Sequence, residues 1–202
     1  MKNAFNKIVA VIVAKYKTDG IKLPTYEDTL IIAETERLKI RRLNRSDMDA
    51  LFAIMKKPEV MYAWEHGFSR GETRKWLNRQ LTLYHKDGYG YFAVISKESG
   101  KLIGQAGLIN SELRGERIVE IGYIFDDSAW GYGYSIEASR ACVGLAFNRF
   151  DVEKLYATIR PENEASVKVA TKLGMQKTGQ YVKIYQDKEM PHDIYMLERT
   201  KS

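Results

Sequence analysis

Ser128-Ala-Trp-Gly-Tyr-Gly-Tyr-Ser-Ile-Glu-Ala138 is the stretch whose reading decides the fold. An apolar run, Ile118-Val-Glu-Ile-Gly-Tyr-Ile-Phe125, comes before it, and a helix-like run ending near Phe150 comes after. Strand, glycine loop and helix is the order that fits. Gly131 and Gly133 lack a Cβ, so the backbone there turns sharply and comes close to a ligand. A helix beginning near Tyr134 points its unbonded N–H groups and positive dipole end at the loop, which suits phosphate. The loop alone equally fits an ordinary flexible helix start.

The flanking pattern predicts a mixed sheet. Arg37–Arg42 alternates as a strand. Ser46 reads as an N-cap with Asp47 and Asp49 in the first turn of a helix running to about Lys56, which Pro58 ends. Ser69–Tyr84 reads as a second helix. Tyr89–Ser96 and Leu102–Ile109 read as strands joined by the turn Glu98–Lys101. Residues 110–116 read as a polar turn and Ile118–Phe125 as a strand. After the glycine loop and its helix come a strand at Lys154–Ile159 and a helix at Asn163–Lys172, with Gly174 as its C-cap glycine. Strands at Met175–Tyr185 and Asp193–Glu198 close the chain. The order β-α-α-β-β-β-α-β-α-β-β predicts an α/β (α+β) fold, a mixed, mostly antiparallel sheet with helices on both faces.

The bulk numbers narrow the class. A chain of 202 residues, 45% hydrophobic and 29% charged, suits one globular domain with a sizeable core. Residues 31–202 are read as that domain, and 1–30 as an N-terminal extension with a short helix at 5–17. The apolar run Ile8–Ala14 is too short to span a bilayer and carries no convincing leader pattern; a cytoplasmic protein without membrane association is expected. Cys142 is the one cysteine and sits on an apolar helical stripe, so it reads as a core residue. His66, His85 and His192 are scattered, so no metal site is expected. The net charge of +6 suits an anionic ligand but forms no dense basic stripe, which argues against nucleic acid.

The second informative segment is Arg160-Pro-Glu-Asn-Glu-Ala-Ser-Val-Lys-Val-Ala-Thr-Lys-Leu-Gly-Met175. With Trp130–Ala138 upstream and the opening Thr35-Glu-Arg-Leu-Lys-Ile-Arg41, it resembles the GNAT superfamily of acyl-CoA-dependent N-acetyltransferases, and within it the RimJ/RimL-type branch, known for acetylating protein N-termini. The resemblance runs from about Thr35 to Leu197. It implies acetyl-CoA as cosubstrate, with the coenzyme A pyrophosphate on the loop formed by Trp130, Gly131, Tyr132, Gly133, Tyr134 and Ser135. Where a common family version has Ala-Thr, this chain has Ser135-Ile136, so the hydroxyl has moved by one position. The resemblance further implies a pantetheine arm between the strand ending at Phe125 and the strand Lys154–Ile159, bonded to backbone near Ile124 and Phe125, with Asn163 at the mouth. Asn163 also suits a helix N-cap.

Many family members carry a tyrosine acid at the position of Ala170. Ser166 is the serine of RimJ/RimL-like sequences, and it is expected to hydrogen-bond the coenzyme A sulfur. Glu120 interrupts an apolar strand, where an unpaired carboxylate is costly to bury. It must pair, face a cleft or protonate. In a cleft its pKa is expected to rise, as a base for an ammonium group requires. Tyr62, Trp64 and Glu65 sit in an aromatic, acidic connector expected to wall an acceptor site for an amine. The expected reaction is direct acetyl transfer to a primary amine, either a peptide N-terminus or a small molecule, by a monomer or homodimer. The alternative is a non-catalytic acyl-CoA-binding sensor or interaction module of the same fold.

Overall fold

The computed structural model describes residues 31–185 and 187–199. The extension read at 1–30, with its helix, lies outside these residues. The elements in order are β1 (Ile31–Glu34), β2 (Leu38–Arg42), α1 (Met48–Met55), α2 (Arg70–Lys86), β3 (Tyr91–Ser96), β4 (Leu102–Leu113), β5 (Glu116–Phe125), α3 (Tyr134–Asn148), β6 (Lys154–Ile159), α4 (Glu164–Lys172), β7 (Gln176–Tyr185) and β8 (Lys188–Glu198). The strands form one sheet ordered β1-β2-β3-β4-β5-β6-β8-β7. From β2 to β7 every pair is antiparallel except β5–β6, which is parallel. This is the mixed, mostly antiparallel sheet the sequence predicts.

Side-chain alternation along β5 assigns the two faces. Gln105 pairs with Ile124, and its carboxamide accepts from the Trp76 indole of α2 at 2.9 Å. Even-numbered residues of β5 therefore face α1 and α2. Tyr123 reaches the other way, to the Ser166 carbonyl of α4, so odd-numbered residues face α3 and α4. The core lies on both sides of the central strands, with Leu38, Ile40, Phe92, Leu108 and Leu155 fully buried. Cys142 is buried in it as expected, and burial pushes its thiol up to about 12.

Several local readings need correction. The capping residue is Asn44 rather than Ser46, and it caps the turn that leads into α1, whose own start at Asp47 has no side-chain cap. The Asn44 side chain accepts from the Ser46 backbone at 2.8 Å, within a short 3-10 turn at Arg45–Asp47. Asp47 is no free first-turn acid; Arg41 binds it through two bonds of 2.7 and 2.8 Å. Residues 110–116 are no loop, because β4 runs on to Leu113 and pairs with β5 as far as Leu113↔Glu116. The turn is Arg114-Gly115, with φ of 53° and 85°. β1 was not expected, and β8 begins at Lys188 rather than Asp193.

Candidate active site

β5 and β6 separate almost as soon as they meet. They pair at Val119↔Leu155 and Glu120↔Tyr156, yet β5 continues to Phe125 and β6 to Ile159. Asp126 donates its N–H to Ile103 at 3.0 Å. By antiparallel alternation the even-numbered residues of β5 bond β4, and Ile121, Tyr123 and Phe125 turn their backbone groups toward the gap. The gap opens into a cavity of about 720 Å³.

The glycine loop closes one end. Gly131 and Gly133 adopt φ of 81° and 79°, a region L-residues rarely occupy. A Cβ on Gly131 would meet nothing within 4 Å, so the loop lies open for a ligand. α3 follows Gly133 without any side-chain cap, which leaves its first-turn N–H groups available to an anion. The Glu137 carboxylate in that turn is occupied by Thr35 at 2.5 Å and by the Arg37 guanidinium at 2.6 and 2.7 Å, so it does not repel a phosphate. Trp130 donates its indole N–H to the Phe125 carbonyl at 3.0 Å, pinning the loop to the end of β5.

The expected residues divide into two groups. Ile124, Phe125, Trp130, Gly131, Gly133 and Ser135 line the cavity from the loop and β5. Asn163 and Ser166 line it from the start of α4. Asn163 Oδ1 accepts from the Ser166 backbone N–H at 3.2 Å, so Asn163 is the N-cap; its amide nitrogen and the Ser166 hydroxyl have no partner among the described residues. Tyr132 and Tyr134 stand outside the cavity lining. Their rings stack at 5.9 Å, and Arg37 lies 4.6 Å from the Tyr134 ring.

On the other face, Glu120, Tyr62 and Trp64 line the cavity and Glu65 does not. Glu120 accepts from the Thr158 hydroxyl at 3.2 Å and has no ion-pair partner among the described residues. Glu65 is turned away by a left-handed backbone, φ 61°. It pairs with Lys188 at 2.8 Å and Arg160 at 3.5 Å, and the Lys188 hydrogen bond holds its carboxyl below the usual range. Its charge is already satisfied and is not presented to an amine. Trp64 packs edge-on against Trp76 at 5.7 Å.

The sequence reading missed several cavity residues. Tyr91, Tyr123, Thr158 and His192 all line it. His192 Nδ1 lies 2.9 Å from the Met190 carbonyl, and burial holds its pKa below the ordinary histidine value. None of these has a local sequence signature; Tyr123 and Thr158 lie in the two fork strands, and Tyr91 and His192 arrive by strand register from β3 and β8.

A match to known families follows this geometry. The model of the acetyltransferase (GNAT) domain matches residues 37–176. The chain belongs to the GNAT acetyltransferase family. GNAT enzymes transfer acetyl from acetyl-CoA to amines, and the fork and loop described above have the shape and N–H donors for such a cosubstrate. The protein YkkB of Bacillus subtilis (strain 168), itself uncharacterized, is 35% identical over 144 residues, 70% of this chain and 83% of YkkB. A GNAT-family acetyltransferase from Bacillus anthracis superposes with a TM-score of 0.70 at 26% identity, covering 82% of this chain and 96% of the other. The ribosomal-protein-S5-alanine acetyltransferase from Vibrio fischeri gives 0.67 at 25% identity, covering 82% and 95%. This GNAT enzyme is an acetyl-CoA-dependent N-acetyltransferase. No helix among the described residues is long and apolar enough to cross a membrane.

Proposed function

We propose that this GNAT enzyme binds acetyl-CoA along the β5–β6 fork and acetylates the N-terminal amine of a protein or peptide by direct attack. The observation that carries the reading is the separation of β5 from β6 immediately after Glu120. It frees backbone donors on one edge and sets a carboxylate at the closed end. The N–H groups of the glycine loop and the start of α3 would take the pyrophosphate. The gap-facing backbone of Tyr123 and Phe125 would bond the pantetheine amides, helped by the Asn163 amide. A gap-facing N–H would polarise the thioester carbonyl, and the gain comes chiefly from holding both substrates in place.

Glu120 would take the proton from the incoming ammonium group, directly or through a water. With alanine at 170, the phenol on the α4 wall is Tyr123, whose hydroxyl donates to the Ser166 carbonyl at 3.5 Å and would have to turn from it to serve the sulfur. Burial pushes it up to about 12, so it stays protonated and can hydrogen-bond the departing sulfur together with the Ser166 hydroxyl. The protein N-terminus is favoured by the likeness to the Vibrio fischeri enzyme, whose name specifies a ribosomal protein, and by the RimJ/RimL resemblance.

Calorimetric titration with acetyl-CoA, followed by thiol release against peptides, amino acids, polyamines and aminoglycosides, tests this. Binding with thiol release for peptides alone is the expected result. Release for a small amine instead moves the acceptor assignment. Binding with no release for any amine favours the non-catalytic sensor.

A further inference from the structure

Tyr91 crosses the sheet on a track of two glycines. It pairs with Gly107 across β3–β4, and Gly107 pairs with Gly122 across β4–β5. A Cβ on Gly107 would stand 2.6 Å from Tyr91 Cα, and one on Gly122 would stand 1.9 Å from the Tyr91 hydroxyl. Neither strand could carry a side chain there without displacing the tyrosine. Trp76 meets the ring at 5.1 Å and fixes it from the helix side.

The backbone of Tyr91 is fully engaged. Its N–H donates to Gln80 at 2.9 Å and its carbonyl accepts from the Tyr84 hydroxyl. Its phenol is not engaged. Tyr91 is only 5% exposed, yet it lines the cavity, and its hydroxyl has no partner among the described residues. The buried ring thus carries a hydroxyl that opens onto the cavity, where a ligand can reach it. Gly122 is the even-numbered residue of β5 after Glu120, on the same face, just beyond the last β5–β6 pair. Phenol and carboxylate therefore meet the same end of the fork.

We propose that the Tyr91 hydroxyl is a catalytic residue that grips the acceptor's amino group together with Glu120. The assignment rests on the acetyltransferase reading of the cavity. Glu120 takes one proton from the ammonium group. The neutral nitrogen donates an N–H to the Tyr91 oxygen, which aims its lone pair at the acetyl carbonyl carbon. The N–C bond forms and the C–S bond breaks, with its electron pair on sulfur. The nitrogen then loses its second proton and sulfur gains one. Tyr91 itself exchanges no proton, and burial, which raises its pKa, keeps it a neutral phenol.

Tyr91→Phe keeps the ring and its packing and removes only the hydroxyl. With the amine that the wild type acetylates best, kcat/KM should fall about tenfold, with the acetyl-CoA Kd and the Tm unchanged. The double variant Tyr91→Phe/Glu120→Gln should lose less than the product of the single losses, because the two groups act on one nitrogen. Unchanged kcat/KM in Tyr91→Phe, with an active wild type, overturns this assignment alone. A wild type inert toward every amine overturns it together with the reading beneath it.

Discussion

Arg37 and Glu137 lie 100 residues apart in sequence and form one bidentate unit. The Arg37 guanidinium meets Glu137 Oε2 at 2.6 and 2.7 Å, and the Arg37 backbone N–H meets Oε1 at 2.9 Å. The same guanidinium donates to the Tyr132 carbonyl at 2.9 Å. The residue preceding β2 is thereby tied to the middle of the glycine loop and to the first turn of α3. Burial alone would raise the Glu137 pKa, but bonds from Thr35 and Arg37 outweigh it and the net shift is downward.

Glu137→Ala should therefore loosen the loop. Acetyl-CoA affinity should fall about tenfold, allowing for partial exposure of the pair. Because the folded pKa lies below the ordinary 4.5, the contribution is present above 4.5 and lost as pH falls through the folded value. Calorimetry on the variant checks this, and an unchanged Kd would mean that the loop holds its shape without the pair.

Gly131→Val tests the cradle itself. A side chain at φ 81° is strained, and the space into which it points is the open space above the loop. Coenzyme A binding should be abolished, with a stability loss of about 1–3 kcal/mol read by thermal melting. A folded variant that still binds coenzyme A tightly would place the pyrophosphate elsewhere.

Much of this architecture was legible because local rules agree with the tertiary result. Lys154–Ile159 was read with its observed ends, since the run is apolar, short and closed by Pro161. The Gly131–Tyr134 helix start and the Asn163 cap carry their chemistry in adjacent residues. The outer half of β4 was not legible: Asn110, Ser111 and Glu112 are polar because that end of the hairpin is solvated, and polarity mimics a loop. The Asn44 cap was hidden because Asp47, which looks like a free first-turn acid, is bound by Arg41. Tyr91 was invisible, because its place depends on two glycines in other strands meeting in register.

Glu120→Gln keeps the shape of the side chain and its bond from Thr158 while removing its basicity. Turnover should drop about 10²–10⁴-fold, the usual worth of a general base, with the acetyl-CoA Kd within twofold or so of wild type. Steady-state kinetics beside calorimetry separates the two quantities. Equal turnover would remove Glu120 from the proton path and leave it as a partner of Thr158.

The connector has a pH-sensitive clamp. His66 contacts Glu72 at 3.1 Å and the Trp64 carbonyl at 2.8 Å; the Glu72 bond first, then the Trp64 carbonyl, raises its pKa above 6.5. The clamp is thus complete below pH 6.5 and weakens as pH rises through the folded value. Both groups are exposed, so the effect is small: His66→Gln should lower the Tm slightly at pH 6 and by less at pH 9. A pH-independent difference would show that charge on His66 plays no part.

Asn163 offers a separation of two roles in one residue. Its Oδ1 caps α4, whereas its amide nitrogen is free to meet a ligand. Asn163→Asp keeps an oxygen to accept the Ser166 N–H, so the helix should hold and the Tm should stay near wild type. The donor is lost and a carboxylate now faces the pantetheine channel, so acetyl-CoA affinity should fall about tenfold. Asn163→Ala removes both functions and should cost about 1 kcal/mol of stability as well. Melting and calorimetry on the pair distinguish the cases. If Asn163→Asp binds acetyl-CoA as the wild type does, the residue is a helix cap only, and the pantetheine amides must find their partners along the β5 backbone.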